Sequence, residues 1–382
     1  LVICANTFAA NFWQPAGTMS QGNTDYVYAL AGASNGAVFA SSWAVGMYKG
    51  SSATNVWNLS GLSGKRISDV FTAPDGTIYC FSKTTSTSYI HRSTDNGGSW
   101  QDVYTRAFAN NYAGGGGMVF PSDGSIVAAY AVTVGPTIGD VATYVFKSTD
   151  GGNNWVQKAV IGAGFVGGMK LLRDGRILMG TSLSGVVMST NNGENWVNFT
   201  AFPLMFIHNI MQADDNTLYV CDAYGPNRST DNGATFVDVS PPISGALIEA
   251  SFVDSHGNLF ISYNHSNIYY STNRGDTWTL IANGLPGTSY ICSLGEVNGK
   301  VYGGTNNSGV LYFTPDITGV ISANHLEGTY KLNQNYPNPF NPTTGISFSI
   351  SKSSFVNLSV YDVTGKIISE LVNSHKAAGD YS

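Results

Sequence analysis

An eight-residue segment that recurs five times constrains the fold more than any other feature of the chain. The copies share a Ser-Thr pair, an acid or amide, a glycine and an aromatic residue. We call them octads, and they read STDNGGSW, STDGGNNW, STNNGENW, STDNGATF and STNRGDTW from residues 93, 148, 189, 229 and 271. Their starts lie 55, 41, 40 and 42 residues apart. A period near 40 residues is typical of propeller blades and related repeats.

Seven short turns predict how many units the chain contains. Each turn places a pair of small or polar residues between two apolar stretches, and the pairs are Asn35-Gly36, Asp75-Gly76, Asp123-Gly124, Asp174-Gly175, Asp215-Asn216, His256-Gly257 and Asn298-Gly299. Asn-Gly and Asp-Gly favour two-residue β-hairpins, in which both central residues have positive φ. Seven such hairpins predict seven four-stranded blades, with each octad between the third and fourth strands of its blade.

The two ends of the repeat region complement each other. The last unit ends near residue 313 without an octad, and NFWQPAG at residues 11–17 supplies a matching strand. We therefore predict that the N-terminal strand completes the seventh blade and closes the ring, which removes the open sheet edges. The predicted fold class is all-β, a seven-bladed β-propeller at residues 10–313 followed by a truncated small β-sandwich.

Composition and the first residues restrict the location and the partners. Residues 1–9, LVICANTFA, are apolar and then small, which is typical of the end of a signal peptide. No apolar stretch approaches the ~20 residues of a membrane-spanning helix. With 18 basic residues against 24 acidic ones and no basic run, nucleic acid is not an expected partner. The cysteines have no CxxC spacing, so neither a metal site nor a cofactor is predicted.

The octads resemble the Asp-box motif, also called the BNR repeat, Ser-x-Asp-x-Gly-x-x-Trp. This motif occurs in sialidases, xyloglucan-cleaving hydrolases, sortilin ectodomains and photosystem assembly propellers, and the resemblance implies a β-propeller. The matching positions are Ser93, Asp95, Gly97, Trp100, Ser148, Asp150, Gly152, Trp155, Ser189, Asn191, Gly193, Trp196, Ser229, Asp231, Gly233, Phe236, Ser271, Asn273, Gly275 and Trp278.

The residue types of the octad indicate a structural role. The acid can accept hydrogen bonds from turn amides, the glycine allows positive φ, and the aromatic ring can be buried between sheets. An amide replaces the acid at Asn191 and Asn273. A turn acceptor tolerates that change and a catalytic acid does not.

The C-terminal segment resembles the sorting domain of the type IX secretion system. LNQNYPNPFNPTT is followed by ISFSI, VNLSVYDVTGKII and AGDYS within residues 330–382, after a linker at 314–329. The resemblance implies a small β-sandwich on cargo that crosses the outer membrane of a Gram-negative cell, with the type IX machinery as a partner. Such cargo is released or held at the cell surface. The family's last strands are missing here.

Candidate site residues lie in the loops opposite the octads, because loops of one propeller face commonly form the ligand site. The candidates for ligand binding are Arg66, Arg106, His208, Tyr224, Tyr263, His265 and Tyr290. Glu249 and Asp222 are the candidate catalytic carboxylates. The AGGGG segment at 113–117 lacks the lysine of a phosphate-binding loop, and we predict a flexible loop beside the axis.

Two functions remain open at this point. The first is that of a secreted or surface protein that binds an extracellular glycan or protein through the loop face. The alternative is a glycoside hydrolase in which Asp222 and Glu249 lie about 5–10 Å apart. Sialidase activity is not favoured, because sialidases use three arginines and only Arg66 and Arg106 fall on the loop face.

Overall fold

The computed structural model describes most of the chain as β-structure in two units. The described residues are 2–4, 12–20, 26–51, 54–84, 87–107, 113–133, 140–202, 206–243, 245, 247–263, 267–282, 284–313, 331–333, 335, 343–350, 354–361, 367–377 and 379–382. Every regular element in them is a β-strand. Contacts divide the chain into one unit of Asn11–Thr314 and another of Leu1–Ala10 with Pro315–Ser382.

The larger unit contains seven antiparallel sheets, which are the blades of a propeller. We name the strands of each blade A to D from the axis outwards. Blade 1 comprises Val27–Gly32, Ala37–Ser42, Met47–Ser51 and Thr54–Leu59. Blade 2 comprises Arg66–Thr72, Ile78–Lys83, Thr87–Ser93 and Gln101–Ala107. Blade 3 comprises Ala113–Val119, Ile126–Thr133, Val141–Ser148 and Val156–Ala163.

The remaining four blades follow the same order. Blade 4 comprises Val166–Leu171, Ile177–Thr181, Gly185–Ser189 and Val197–Asn198. Blade 5 comprises Asn209–Gln212, Leu218–Cys221, Pro226–Ser229 and Val237–Asp238. Blade 6 comprises Ile248–Val253, Leu259–Tyr263, Asn267–Ser271 and Thr279–Leu280. Blade 7 comprises Ile291–Val297, Lys300–Thr305 and Val310–Phe313, with Gln14–Pro15 as its strand D. The A strands of adjacent blades are in contact, and blade 7 contacts blade 1. The predicted all-β, seven-bladed fold is therefore confirmed.

The N-terminal segment closes the ring as predicted and also extends blade 1. Gln14 and Pro15 pair with Tyr312 and Leu311 of blade 7. Thr18–Met19 then pairs in parallel with strand D of blade 1, a fifth strand that the sequence did not predict. Six residues, 14–19, thus carry the strands that join the first blade to the last.

Each octad folds into the same hydrogen-bonded turn. In the first copy, Ser93 Oγ donates to Asp95 Oδ1 at 2.8 Å and accepts from the Gly97 amide at 2.8 Å. Asp95 Oδ1 also accepts from the Ser99 amide at 2.8 Å. Asn191 and Asn273 accept the equivalent amide through their side-chain oxygen at 2.9 Å. Acid and amide are thus interchangeable here, because the turn requires only one carbonyl-type acceptor.

Tryptophans fasten four blades to the blade that precedes each of them in the ring. The indole N–H groups of Trp57, Trp100, Trp278 and Trp13 donate to the carbonyls of Ala16, Ser60, Val239 and Ile281, respectively. Each acceptor directly follows strand D of the preceding blade. Blade 5 has Phe236 at this position, which packs edge-on against Phe202 with ring centroids 4.9 Å apart. The aromatic residue is therefore an inter-blade contact.

The hairpins between strands A and B differ from the predicted two-residue turns. Only in blade 7 do both turn residues, Asn298 and Gly299, have positive φ. In blade 2, the Gly76 amide donates to Ala73 O and the Ala73 amide donates to Thr77 O, which makes a three-residue loop. Asp75 there keeps negative φ and accepts the Thr77 amide at 2.9 Å. The aspartate is selected as a turn acceptor, and the glycine alone needs positive φ.

The smaller unit consists of two three-stranded sheets. Ser354–Tyr361 pairs with Val2–Cys4 and with Ile367–Lys376, and Phe348–Ile350 pairs with Lys331–Leu332 and Gly379–Tyr381. Phe348, Ile350, Val356 and Leu358 form its buried core. The predicted linker at 314–329 lies outside the described residues, and the signal-peptide interpretation of residues 1–9 stays a prediction.

Removal of the Trp13 side chain should destabilise the propeller more than any other change at the closure. Trp13 is 1% exposed and bridges blades 6 and 7. We expect Trp13→Ala to lower the free energy of unfolding by about 3–5 kcal/mol. Trp13→Phe should cost about 1–2 kcal/mol through the unpaired Ile281 carbonyl. The control is Trp155→Phe, because the Trp155 indole N–H has no partner among the described residues. Equal losses for both Phe variants in urea titrations would contradict this role.

Acid sensitivity should arise in part from the octad aspartates. Hydrogen bonds from Ser99 and Asn154 lower the pKa of Asp95 and Asp150 to about 2, and those from Thr235 lower the pKa of Asp231. Because each folded-state pKa lies below the ordinary 3.8, their stabilisation is present above that pH and is lost as pH falls towards 2. The triple change to Asn should flatten the decline of Tm between about pH 4 and 2. An unchanged profile would exclude this contribution.

Candidate ligand-binding cavity

A cavity of about 730 Å³ lies on the propeller axis where the A strands meet. Every blade contributes to its wall. Polar and aromatic lining residues are Tyr26, Tyr28, Trp43, Ser68, Asp69, Phe71, Lys83, His208, Asn209, Glu249, Ser251, Tyr290, Cys292 and Ser293. Several of them directly precede or begin an A strand, and Trp43 and Lys83 lie where strands B end. The cavity therefore opens on the face opposite the octads.

Glycines allow the inner strand of blade 3 to approach both blade 2 and blade 4 closely. A Cβ at Gly116 would lie 2.7 Å from the Phe81 ring, and one at Gly117 would lie 2.6 Å from Met169 Cβ. The AGGGG segment is thus an A strand, Ala113–Val119, and the predicted loop is wrong. The missing side chains serve close strand packing beside the cavity rather than flexibility.

Three aromatic rings form a continuous stack at the cavity wall. The ring centroids of Tyr26 and Tyr28 are 5.4 Å apart, and those of Tyr28 and Trp43 are 4.9 Å apart. Tyr26 and Tyr28 are 37% and 39% exposed, so their rings are accessible. The Tyr26 and Tyr290 hydroxyls lie 3.1 Å apart, and this hydrogen bond, together with burial, raises the pKa of Tyr290. The stack gives the wall an apolar surface with hydroxyl groups at one end.

Two cations lie against Trp43 at the other end of the stack. Lys83 Nζ is 4.9 Å from the ring centroid and the Arg66 guanidinium carbon is 5.4 Å from it. Burial and the neighbouring Arg66 charge lower the pKa of Lys83. Asp69 Oδ2 accepts the Gly116 amide at 2.9 Å, and burial raises the pKa of Asp69. The indole thus holds two positive groups at the cavity through cation–π contacts.

Glu249 and His208 line the opposite part of the wall. Glu249 is half-buried, and burial together with its negative charge raises the pKa of the Cys292 thiol to about 12. His208 Nδ1 is buried and has no hydrogen-bond partner among the described residues. Burial lowers the pKa of His208 to about 4, so the imidazole is neutral at physiological pH.

The other sequence-predicted residues lie away from this cavity. Asp222 Oδ1 accepts the amides of Tyr224 and Gly225 at 2.8 and 3.1 Å, as a turn acceptor does. Tyr263 is buried and donates to the Tyr224 carbonyl at 2.9 Å. Arg106 stacks on Tyr144, 3.9 Å from the ring centroid. His265 lies outside the described residues.

The cavity brings together Glu249, His208 and Tyr290 from the predicted set, but not Asp222. Arg66 reaches its rim through Trp43. Five further lining residues are not among those predicted from the sequence: Tyr26, Tyr28, Trp43, Asp69 and Lys83. A sequence signal exists for Trp43, since SSWAVG connects strands B and C of blade 1 on the same face as the predicted loops.

A serine, a histidine and an aspartate form a hydrogen-bonded chain within blade 2. Ser82 Oγ lies 2.5 Å from His91 Nε2, and His91 Nδ1 lies 2.6 Å from Asp102 Oδ1. The residue types are those of a nucleophilic triad. However, Ser82 is 2% and His91 0% exposed, and neither lines a described cavity. A substrate cannot reach this hydroxyl, so the chain satisfies buried polar groups between strands B, C and D.

A second cavity of about 530 Å³ lies on the octad face between strand D of blade 1 and the octad of blade 2. Lys49 and Asp95 line it, and both already serve the framework. Lys49 Nζ donates to the Asn96 carbonyl at 2.8 Å, and Asp95 holds its turn. The axial cavity therefore offers the more varied chemistry.

Neither a metal centre nor a membrane helix is evident in the described part of the chain. No group of three or more His, Cys, Asp or Glu side chains there could hold a metal ion. No helix there is long and apolar enough to cross a bilayer.

The C-terminal segment matches a known family. Residues 334–380 match the family described as the secretion system C-terminal sorting domain. This match confirms the type IX sorting domain predicted from the sequence. The protein is therefore secreted or located at the outer-membrane surface of a Gram-negative bacterium. No curated protein matches the chain.

The fold is similar to that of several solved propellers. YCF48 bound to D1 peptide superposes with a TM-score of 0.60 at 14% identity, over 83% of this chain and 99% of that chain. A catalytically inactive virginiamycin B lyase from Staphylococcus aureus with quinupristin gives 0.60 at 12% identity, over 76% and 96%. The GH74 xyloglucanase from Xanthomonas campestris gives 0.60 at 14% identity, over 90% and 60%. At these identities the likeness shows the fold alone.

The protonation of His208 can be checked directly. We expect its imidazole proton signals to titrate with a midpoint of about pH 4, because burial disfavours the charged ring. NMR spectra recorded between pH 3 and 8 would measure the midpoint, and the His208→Gln variant would assign the signal. A midpoint near 6.5 would show that the ring is hydrated in solution.

Proposed function

We propose that this protein is an extracellular binding protein that receives part of a glycan or protein ligand in the axial cavity. The observation that carries the proposal is the exposed pair Tyr26 and Tyr28 at a cavity that all seven blades line. Aromatic faces bury large apolar areas against sugar rings or side chains, while charged and polar groups orient the ligand. The sorting domain delivers this cavity to the cell exterior.

The propeller belongs, in our proposal, among the Asp-box or BNR-repeat propellers, which are sialidase-like in fold. The support is the identical Ser–acid–amide network in all five octads. We propose that the octads are structural turns, since each side chain in the network hydrogen-bonds within its own turn. Ligand recognition is then assigned to the opposite face of the propeller.

The names of similar structures indicate that this fold serves several functions. They describe a propeller with a bound peptide, a lyase with quinupristin and a xyloglucanase. Related folds therefore serve both binding and catalysis, and the choice depends on the site.

A glycoside hydrolase is the alternative function. Such enzymes need two carboxyl groups on either side of the scissile bond. Glu249 lines the cavity, whereas Asp222 accepts turn amides outside its lining. Asp69, the second carboxyl in the lining, accepts a backbone amide on blade 2. The arrangement favours binding over hydrolysis.

Truncation of one stacked tyrosine tests the proposal. Ligands would first be identified with the native protein on the arrays named below. We expect Tyr28→Ala to raise the dissociation constant for those ligands by about tenfold or more, because it removes the exposed ring at the centre of the stack. The matched control is Tyr224→Ala, whose ring is 66% exposed on the same face but outside the cavity lining. Glycan and peptide arrays would measure binding. Equal loss in both variants, or in neither, would remove the axial cavity from the proposed function.

The hydrolase alternative has its own test. Oligosaccharides of defined linkage would be incubated with the native protein and with Glu249→Gln. Turnover by the native protein that disappears in the variant, while binding persists, would overturn the proposal in favour of catalysis.

A further inference from the structure

Charges of opposite sign occupy different sectors of the axial cavity. Lys83 lines the wall at blade 2, and Arg66 lies at the same rim. Glu249 lines the wall at blade 6. Asp69 is the other carboxyl of the described lining; it lies near Lys83 and accepts the Gly116 amide. Among the described residues, Lys83 together with Arg66 at the rim outweighs Asp69 at blade 2, and Glu249 makes the blade 6 sector negative.

The two sectors lie on opposite sides of the axis. The A strands contact one another in chain order, and the A strand of blade 7 contacts that of blade 1. Blade 6 is therefore three steps from blade 2 in one direction and four in the other. A ligand centred on the axis meets a positive wall on one side and a negative wall on the other.

His208 adds an independent sign of a missing partner. Its Nδ1 atom is buried at the cavity with no hydrogen-bond partner among the described residues. A buried polar atom without a partner is costly, and such atoms are usually satisfied by protein, water or ligand. His208 belongs to blade 5, beside the sector of Glu249.

We propose that the axial cavity binds a short linear peptide with free termini, with its carboxylate towards Lys83 and Arg66 and its ammonium towards Glu249. The inference rests on the proposed binding function and narrows its ligand class. The peptide body lies along the Tyr26 and Tyr28 rings. Its amide groups supply hydrogen bonds to the serines of the wall, Ser68, Ser251 and Ser293.

Other ligand classes fit the charge arrangement less well. A neutral sugar carries no charge that complements the positive and negative sectors. A single α-amino acid carries both charges on groups bonded to one carbon. In three extended residues the termini lie up to about 10 Å apart, which suits charges on opposite sides of an axis.

Terminal blocking of a peptide library tests the proposal. An equimolar library of tripeptides with free termini, and the same library after N-acetylation or C-amidation, would be incubated with the full chain. Native mass spectrometry would measure the retained fraction. We expect either block to reduce retention by about tenfold, which corresponds to the loss of one charge-assisted contact.

Variants then assign each terminus to a wall. In Glu249→Gln, N-acetylation should no longer reduce peptide retention, whereas C-amidation should still reduce it. In Lys83→Met, C-amidation should no longer reduce retention, whereas N-acetylation should still reduce it. Asp222→Asn is the control, because that carboxylate lies outside the cavity lining and Asn retains its acceptor. Equal retention of free and blocked libraries, or the binding of oligosaccharides without peptides, would overturn this inference alone. If neither class binds, the proposed function fails as well.

Discussion

The burial of an aromatic ring against the preceding blade is the contact on which the ring depends, and at four interfaces an indole N–H also donates to the end of that blade's outer strand. Blades of a propeller touch only their neighbours, so every interface must be both apolar and correctly oriented. Trp100 and Trp278 provide both, since the ring buries area while the N–H reaches a strand end about forty residues earlier in the chain. The octad turn positions that aromatic ring. The Ser and acid geometry therefore repeats from octad to octad because the ring must be positioned, and not because the turn has a catalytic role.

Local signals predicted the architecture well because propeller blades repeat local chemistry. The octads and the turn pairs mark strand ends, and their period fixed the number of blades. The failures concern tertiary contacts. The AGGGG segment at 113–117 was interpreted as a loop because nothing in its own sequence reveals that Phe81 and Met169 occupy the space that side chains at Gly116 and Gly117 would need. Similarly, Asp75 resembles a residue chosen for positive φ until its side-chain acceptor role is seen.

The cavity was only partly predictable, since loop membership does not reveal which way a side chain points. Glu249 and Tyr290 lie at the entry of A strands, and this position directs them to the axis. Asp222 lies after a B strand, and its own turn uses the carboxylate. Trp43 also lies after a B strand yet faces the cavity, where Tyr28 and Lys83 contact it from neighbouring segments. Asp222 and Trp43 thus occupy equivalent places after B strands, and only the packing of three separate segments places Trp43 at the cavity.

The closing strand has a consequence for how the ring forms and opens. Gln14 and Tyr312 are 298 residues apart in the chain, and only two residue pairs join them as strand D of blade 7. Closing such a long loop is entropically costly and slow, so we expect ring closure to be the last step of folding. We expect amide exchange at Tyr312 to report sub-global opening at this seam while the central blades remain protected.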